Sequence, residues 1–376
     1  MQPLRVMSVV GARPNFMKIA PIVAQLRACD GMFESILVHT GQHYDDKLSQ
    51  VFLNELGIPE PHANLNVGSG THAQQTAAVM AAFEPVLIAS RPNVLLVVGD
   101  VNSTLACALV AAKLNIPVAH VEAGLRSFDR TMPEEINRVL TDQISDLLFT
   151  TEESAAENLR REGIDSSKIH FVGNVMIDTL LAHRARARQR NVPAKFDVEP
   201  GAYGLLTLHR PSNVDDPLVF ERLVGALATI GEQMPLLFPT HPRTRPALER
   251  SSRAAALVHQ GVLRPIDPLG YLEFVGLMEA SRVVLTDSGG VQEETTILGV
   301  PCLTLRENTE RPVTLSHGTN VVVGTNPTRI VAGWRELEKR TGPLRVPPLW
   351  DGRAAARIVA VLRSLPRGDR GAVAQL

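Results

Sequence analysis

The chain has 376 residues, 44% of them hydrophobic and 20% charged, which is typical of a globular protein large enough for two domains. Its formal net charge of −1 gives the whole molecule no electrostatic reason to bind nucleic acid or an anionic membrane, so any anion site must be local. No secretory signal and no apolar run of roughly eighteen residues occurs, so a cytoplasmic enzyme is expected.

The first half alternates short apolar runs with helical patterns. The predicted strands are Arg5–Val10, Phe33–His39, Val94–Val98, Pro117–Val121, Leu147–Thr150 and Ile169–Val172. A helix is predicted at Lys18–Cys29, and Thr104–Leu114 reads as a helix that is apolar nearly all round. Asn102 or Ser103 is predicted to cap the second helix, and Gly163 to end a later one.

The same alternation restarts after an arginine-rich segment, His183 to Pro200. We interpret this segment as a solvated helix end and linker, because a nucleic-acid patch would have interleaved aromatic residues. The predicted strands of the second half are Tyr203–Leu208, Leu236–Pro239, Gly261–Leu263, Val283–Thr286, Val300–Leu305 and Asn320–Val323. A last helix is predicted at Arg353–Leu365. The pattern predicts two α/β domains, each with a doubly wound parallel sheet.

The three cysteines, Cys29, Cys107 and Cys302, are far apart in the sequence, and each lies in an apolar segment. We therefore expect buried free thiols, and neither a disulfide framework nor a zinc site is indicated.

Ligands of open parallel sheets bind outside the carboxyl ends of the strands, and the unusual residues of this chain follow the predicted strands there. The first half supplies three carboxylates, Asp100, Glu122 and Glu134. A single acid at such a place is more often a helix cap or an ion-pair partner. Three that converge would suit proton transfer, because burial and like charges raise their pKa values.

The second half supplies cations around a glycine turn. The turn is Ser288–Gly290, between an apolar strand and a helix, and it suits phosphate because backbone N–H groups converge there. Nearby cations in the predicted layout are His209, Arg210, Arg243 and Arg311. Glu293 and Glu294 are interpreted as acids of the first helical turn, or one of them as a ligand of a ribose diol.

Eight ordered motifs resemble the bacterial non-hydrolysing UDP-N-acetylglucosamine 2-epimerases. They are G-A-R-P-x-x-x-K, T-G-Q-H, V-x-G-D-x-N-S-T, H-V-E-A-G-L-R-S, M-P-E-E-x-N-R, H-R, D-S-G-G-x-Q-E-E and E-R-P, within residues 5 to 325. The resemblance implies a GT-B fold, with two Rossmann-like domains and the ligand in a cleft between them. The expected divisions are residues 1–180, residues 181–352 and a last helix, 353–376, that packs back on the first domain.

The resemblance further implies reversible conversion of UDP-GlcNAc to UDP-ManNAc, by elimination of UDP and its re-addition through a bound glycal. The resemblance implies no cofactor and no metal, and it implies a homodimer. Asp100, Glu122, Glu134 and His209 match the family's catalytic residues. The matching substrate-binding residues are Arg13, Lys18, Arg210, His241, Phe274, Ser288, Gly289, Gly290, Glu294 and Arg311.

Two departures leave alternatives open. His209-Arg210 is followed by Pro-Ser-Asn-Val-Asp, where the best-known members have H-R-R-E, and the loop after T-G-Q-H differs around the family's activator site. The T-G-Q-H-Y form also occurs in epimerases of diacetamido-uronic acid nucleotides, although Gln292-Glu293-Glu294 favours UDP-GlcNAc. A GT-B glycosyltransferase, a hydrolysing epimerase and a non-catalytic nucleotide-sugar sensor are the rival functions.

Overall fold

The computed structural model describes residues 2–41, 53–337, 339 and 345–365, apart from the side chain of Arg13. Contacts divide the chain into two compact units. Unit 1 is Met1–Leu181 with Pro348–Leu376, and unit 2 is Ala182–Pro347. Each unit has its own parallel sheet with helices, which confirms the predicted α/β class. Among the described residues, no helix is both long enough and apolar enough to cross a bilayer.

Unit 1 is built on a seven-stranded sheet in the order β3-β2-β1-β4-β5-β6-β7, with every neighbouring pair parallel. Its strands are β1 (Leu4–Val10), β2 (Phe33–His39), β3 (Ala63–Asn64), β4 (Val94–Val98), β5 (Val118–Val121), β6 (Leu147–Thr150) and β7 (Ile169–Phe171). The helices described between them are α1 (Arg13–Arg27), α2 (His72–Ser90), α3 (Asn102–Lys113), α4 (Pro133–Gln143) and α5 (Glu153–Arg161). Helix α6 (Val175–Gln189) follows β7, and its residues from Ala182 belong to unit 2.

Unit 2 is built on a six-stranded sheet in the order β10-β9-β8-β11-β12-β13, again parallel throughout. Its strands are β8 (Gly204–Thr207), β9 (Leu236–Pro239), β10 (Leu263–Ile266), β11 (Val283–Thr286), β12 (Cys302–Thr304) and β13 (Asn320–Val322). Its helices are α7 (Pro211–Val214), α8 (Pro217–Gly231), α9 (Arg245–Arg250), α10 (Ser252–His259), α11 (Tyr271–Ala280), α12 (Gly289–Leu298), α13 (Val313–Ser316) and α14 (Pro327–Leu337).

The last helix, α15 (Ala354–Arg363), belongs to unit 1 and packs against α1. Two contacts hold the segment that leads into this helix against the rest of unit 1. The buried indole N–H of Trp350 donates to the carbonyl of Thr151 at 2.9 Å. The backbone passes so close to Gly173 (φ +88°) that a Cβ there would lie 2.1 Å from the carbonyl oxygen of Leu349, so only glycine fits.

Two local expectations are wrong. Helix α3 begins at Asn102 itself, after Val101, and no side chain caps it; the Asn102 amide instead donates to Gln75 at 2.8 Å. Cys29 is partly exposed, while Cys107 and Cys302 are buried as expected, and all three thiols are free. The predicted role of Gly163 is confirmed, since it follows α5 with a φ of +85°.

The arginine-rich segment is helical as far as Gln189, and its arginines are more than a solvated surface. Arg184 and Arg188 both pair with Glu279 of α11, at 2.6 and 2.7 Å. The first part of the predicted linker is therefore a helix held to unit 2 by side-chain ion pairs.

Candidate functional site

The order of strands reverses once in each sheet, between β1 and β4 in unit 1 and between β8 and β11 in unit 2. Open α/β sheets bind ligands at such switch points. In unit 1 the loop after β1 leads to Arg13 and Lys18, and β4 leads to Asp100. In unit 2, His209 follows β8 and Ser288 follows β11. Most of the predicted site residues thus lie at the switch points of the two sheets.

Lys18 and Glu122 form a buried ion pair in unit 1, although they come from opposite sides of β4. The side chains are 8% and 2% exposed. Glu122 has a left-handed backbone (φ +70°), which is uncommon for a residue other than glycine and typical of functional sites. Gly99 makes room for the pair, since a Cβ at that position would lie 2.9 Å from the Lys18 ammonium.

Asp100 is partly exposed, and the guanidinium of Arg138 reaches its Oδ2 at 2.5 Å. Glu134 lies in the first turn of α4 and is also partly exposed. It has no hydrogen-bond or ion-pair partner within the described part of the chain. The three predicted carboxylates therefore differ: Glu122 is buried against a lysine, Asp100 is held by an arginine, and Glu134 reaches solvent. Arg13 is the first residue of α1, but its side chain lies outside the described part.

A buried network supports the ends of β4 and β5. His120 places Nε2 2.8 Å from the Gly99 carbonyl and Nδ1 2.7 Å from Asp142. Asp142 also accepts the N–H of Gly124 at 3.0 Å and pairs with Arg126 at 2.7 Å. Burial alone would raise the pKa of Asp142, but His120 and Arg126 outweigh burial and lower it.

In unit 2, Asp287 orients His209. The buried Asp287 carboxylate lies 2.8 Å from Nδ1 of His209 and accepts the backbone N–H groups of His209 and Arg210 at 3.0 and 2.9 Å. Burial alone would raise the pKa of Asp287, but these contacts outweigh it and lower the pKa. An ionised Asp287 only accepts hydrogen bonds, so Nδ1 of His209 carries a proton and Nε2 is directed away.

The glycine turn begins α12 after Ser288, and no side chain caps the helix. Gly289 is buried against two side chains: a Cβ there would lie 3.0 Å from Glu310 Oε1 and 3.5 Å from Arg311 Cζ. Gly290, the next residue, is partly exposed. Uncapped N–H groups at a helix start suit an oxyanion, and a side chain at Gly289 would require Glu310 to shift.

The cations near this turn are already engaged by carboxylates. Arg311 is buried, with Nε 2.8 Å from Glu293 and Nη1 3.4 Å from Glu310. Arg210 lies 3.7 Å from the same Glu310 and is less buried. Burial would raise the pKa of Glu310, but Arg311 and Arg306 outweigh it and hold the pKa below its usual range.

Glu293 and Glu294 are not in the first turn of the helix, because α12 begins at Gly289 and both are buried in the second turn. That expectation is wrong. Glu294 accepts a hydrogen bond from the Tyr271 hydroxyl at 3.1 Å. Burial, with a contribution from the adjacent Glu293, raises the pKa of Glu294 to about 8. Phe274 lies one turn beyond Tyr271 on α11 and is partly buried.

His241 is exposed, and its ring centre lies 5.9 Å from that of His209. Arg243, however, pairs with Asp215 at 2.7 Å, and both side chains are about half exposed. The expectation that His241 lies near another candidate residue agrees with its distance from His209. The pairing of Arg243 with Asp215 was not predicted. The loop that departs from the family's activator site, with Tyr44-Asp45-Asp46-Lys47, lies outside the described residues.

Sequence reasoning missed the buried partners that hold the candidate groups, namely Arg138, Asp287 and Glu310. Each lies within or beside a quoted motif, but its role depends on contacts with distant residues. Within the described ranges, no group of three or more His, Cys, Asp or Glu side chains is arranged to hold a metal ion.

Comparisons with known proteins agree with the motifs. A family model described as UDP-N-acetylglucosamine 2-epimerase matches residues 27–363. A UDP-N-acetylglucosamine 2-epimerase from Methanocaldococcus jannaschii is 44% identical, over 94% of this chain and 97% of that protein. A UDP-2,3-diacetamido-2,3-dideoxy-D-glucuronate 2-epimerase from Pseudomonas aeruginosa is 41% identical, over 96% of this chain and 100% of that protein.

Among solved structures, the M. jannaschii UDP-GlcNAc 2-epimerase in complex with UDP-GlcNAc and UDP is similar to this chain with a TM-score of 0.89 and 43% identity. The match covers 96% of this chain and 99% of that one. The fold class that the motifs implied, GT-B with two Rossmann-like units, is confirmed.

Proposed function

The chain belongs to the UDP-N-acetylglucosamine 2-epimerase family, and from this membership we propose that it interconverts UDP-GlcNAc and UDP-ManNAc by inverting C2. The observation that carries the proposal is the grouping of Asp100, Glu122 and Lys18 at neighbouring strand ends of unit 1. Inversion at C2 needs proton removal on one face of the sugar and proton delivery on the other.

In the proposed reaction a base removes the C2 proton while the bond from C1 to the β-phosphate oxygen breaks. The electron pair of the C2–H bond becomes the C1–C2 double bond of a glycal, and UDP leaves as an anion. The same UDP oxygen then adds back to C1, while an acid delivers a proton to the opposite face of C2. Asp100, Glu122 and Glu134 are the proposed acid and base groups. No redox step occurs, so the atoms balance without a cofactor.

Unit 2 is proposed to hold the nucleotide. The uncapped start of α12, at Ser288–Gly290, and Arg210 would bind the diphosphate. In its imidazolium form, with Nδ1–H held by Asp287, His209 would donate from Nε2 to the leaving oxygen. Glu294 would bind the ribose diol, and Phe274 would contact uracil. Arg311, buried between two carboxylates, would act by electrostatics more than by direct contact. Arg13 and His241 are proposed to contact the substrate as well.

The decisive experiment is to incubate the purified protein with UDP-GlcNAc alone in deuterated water. We expect deuterium at C2 and a mixture of two intact UDP-sugars. Asp100→Asn and Glu122→Gln variants should lose about 10²–10⁴-fold in rate, the usual contribution of general acid–base groups. Free ManNAc with UDP would instead indicate hydrolysis, and a lack of exchange would contradict the proposal and favour a transferase or a sensor.

A second candidate substrate is favoured by the P. aeruginosa relative, which is named for a UDP-diacetamido-glucuronate. UDP-2,3-diacetamido-2,3-dideoxy-glucuronate should therefore be tested beside UDP-GlcNAc. A larger kcat/KM for the uronate would reassign the substrate while leaving the reaction class unchanged.

The family resemblance also leads us to propose a homodimer acting in the cytoplasm. Ile136 and Leu140, exposed apolar side chains one turn apart on α4, are the residues that we propose for the interface. Sedimentation equilibrium tests the dimer, since a monomer at micromolar concentration would contradict it. Fractionation of cells that produce the protein tests its location.

A further inference from the structure

Arg138 is a buried guanidinium that joins two carboxylates of unit 1. It is 2% exposed. Its Nη1 contacts Asp100 Oδ2 at 2.5 Å, while Nε and Nη2 both contact Glu135 Oε2, at 2.9 and 2.6 Å. One planar fork therefore grips a proposed acid–base residue on one side and a buried acid of its own helix on the other.

The neighbouring residue on α4 holds the backbone of Asp100. The Asn137 amide donates to the carbonyl oxygen of Asp100 at 2.9 Å. Two consecutive residues of one helix thus fix the main chain and the carboxylate of Asp100, which itself lies in a loop after β4. The Asp100 side chain is 25% exposed, so it has one face held by protein and another open to solvent.

Glu135 ties Arg138 to the backbone of the preceding loop. Its Oε1 accepts the N–H of Phe128 at 2.8 Å, and its Oε2 accepts the N–H of Ser127 at 3.0 Å. Burial alone would raise the pKa of Glu135, but these N–H groups and Arg138 outweigh burial and lower it. Glu135 is therefore ionised, anchored to the backbone on one side and to Arg138 on the other.

This arrangement is poorly explained by stability alone. Buried ion pairs are often no more stabilising than apolar side chains of similar volume, because taking charges out of water costs as much as their attraction returns. What the arrangement provides is direction. The two N–H groups that share Glu135 Oε2 fix the plane of the guanidinium, and with it the direction from which Nη1 meets Asp100.

We propose that Arg138 is a positioning residue for proton transfer at C2, which holds the Asp100 carboxylate in one orientation while Glu135 holds Arg138. The inference rests on the proposed function, because it takes Asp100 as an acid–base group. A lysine at this position would keep the charge but could not span both carboxylates with a fixed plane. A small misplacement of a reacting group is sufficient to slow a reaction about 100-fold.

The test compares Arg138→Lys with Arg126→Lys. Arg126 is the matched control, because it is equally buried in unit 1 and pairs with Asp142 and Glu162 but has no contact with the proposed acid–base carboxylates. The assay is epimerisation of UDP-GlcNAc and of the same sugar deuterated at C2. For Arg138→Lys we expect kcat to fall about 10- to 100-fold with KM changed less than about threefold. The isotope effect on kcat should also increase, because proton transfer becomes slower relative to product release.

A merely structural role would reduce the active fraction of both variants and leave the isotope effect unchanged, and that outcome overturns the proposal. If Arg138→Lys does not fold, the double variant Arg138→Met, Glu135→Gln removes both buried charges and keeps an acceptor oxygen for one of the two N–H groups of Ser127 and Phe128. We expect it to fold and to show the same slow, isotope-sensitive kcat; wild-type kinetics in the double variant would also overturn the proposal. Absence of exchange by the wild-type enzyme would contradict the proposed function instead, so the two failures are distinguishable.

Discussion

Glu294 is a carboxylic acid buried beside another acid, and this determines its titration. Its pKa in the folded protein is about 8, against about 4.3 in an unfolded chain. Below the unfolded value both states are protonated, so the group has no effect on stability. Between the two values the unfolded state releases its proton and the folded state keeps it. The free energy of unfolding therefore decreases as pH rises through this window.

Glu294→Gln should remove this loss of stability with rising pH, because glutamine mimics the protonated acid and still accepts a hydrogen bond from the Tyr271 hydroxyl. Relative to the wild type, the variant should gain stability from about pH 5 to pH 8, with a slope of up to about 1.4 kcal/mol per pH unit. Thermal unfolding in the absence of ligand over this pH range is the measurement. Glu336→Gln, an exposed change on α14 of the same unit, is the control. Parallel pH profiles for wild type and Glu294→Gln would contradict the assignment.

At this scale the sequence proposed candidate site residues, but it did not show which partners hold them. The motif M-P-E-E-x-N-R contains Glu134, Glu135 and Arg138, and only Glu134 was predicted to act. The other two are identified by contacts outside the motif, with Asp100, which is 38 residues from Arg138, and with Ser127, which is 8 residues from Glu135. Spacing within a motif carries no information about such partners.

Helix α15 shows how one element depends on another. Its own start has no side-chain cap, and the carboxylate of Asp178 on α6 accepts the N–H groups of Ala354 and Ala355 at 3.1 and 2.7 Å. An oxygen at this position satisfies helix donors that would otherwise be buried without a partner.

Asp178→Ala should lower the free energy of unfolding of unit 1 by about 2–4 kcal/mol, since a cap is lost and two buried N–H groups lose their acceptor. Hydrogen exchange of residues 354–363 should accelerate in the variant. Asp351→Ala is a useful control, because Asp351 lies beside the same helix but is partly exposed and pairs with Arg357. Unchanged protection of α15 in Asp178→Ala would show that packing on α1 alone holds the helix.

Elements with a strong local signal were predicted with their observed bounds. These elements are apolar runs with turn residues on either side, namely Phe33–His39, Val94–Val98, Leu147–Thr150, Leu236–Pro239 and Val283–Thr286. The strand predicted at Gly261–Leu263 instead spans Leu263–Ile266 and contains Pro265. Proline is tolerated there because β10 is an edge strand, a property of the sheet that the local sequence does not show. The two-residue β3 was missed because it is too short for a periodic pattern.

For the whole molecule, the proposed division of roles predicts which part of the substrate stabilises the protein. UDP at 100 times its Kd should raise the free energy of unfolding by about 2.7 kcal/mol, which appears as a higher thermal midpoint. Uridine lacks the diphosphate that Arg210 and the start of α12 would bind, so it should give a much smaller shift at the same concentration. Arg210→Met should reduce the shift with UDP and leave that with uridine unchanged. Equal shifts from UDP and uridine in the wild type would contradict the diphosphate assignment.

Unit 2 is inserted in the sequence of unit 1, and this affects the order in which the protein is made. The strands of unit 1 leave the ribosome first, but α15 and Trp350 follow only after all of unit 2 has been synthesised. At roughly 5–20 residues per second this delay is on the order of ten to thirty seconds, during which the face of α1 that α15 covers is open to chaperones. Unit 2 is continuous in sequence and can complete its sheet without waiting. The unit that begins translation is thus the last to be finished.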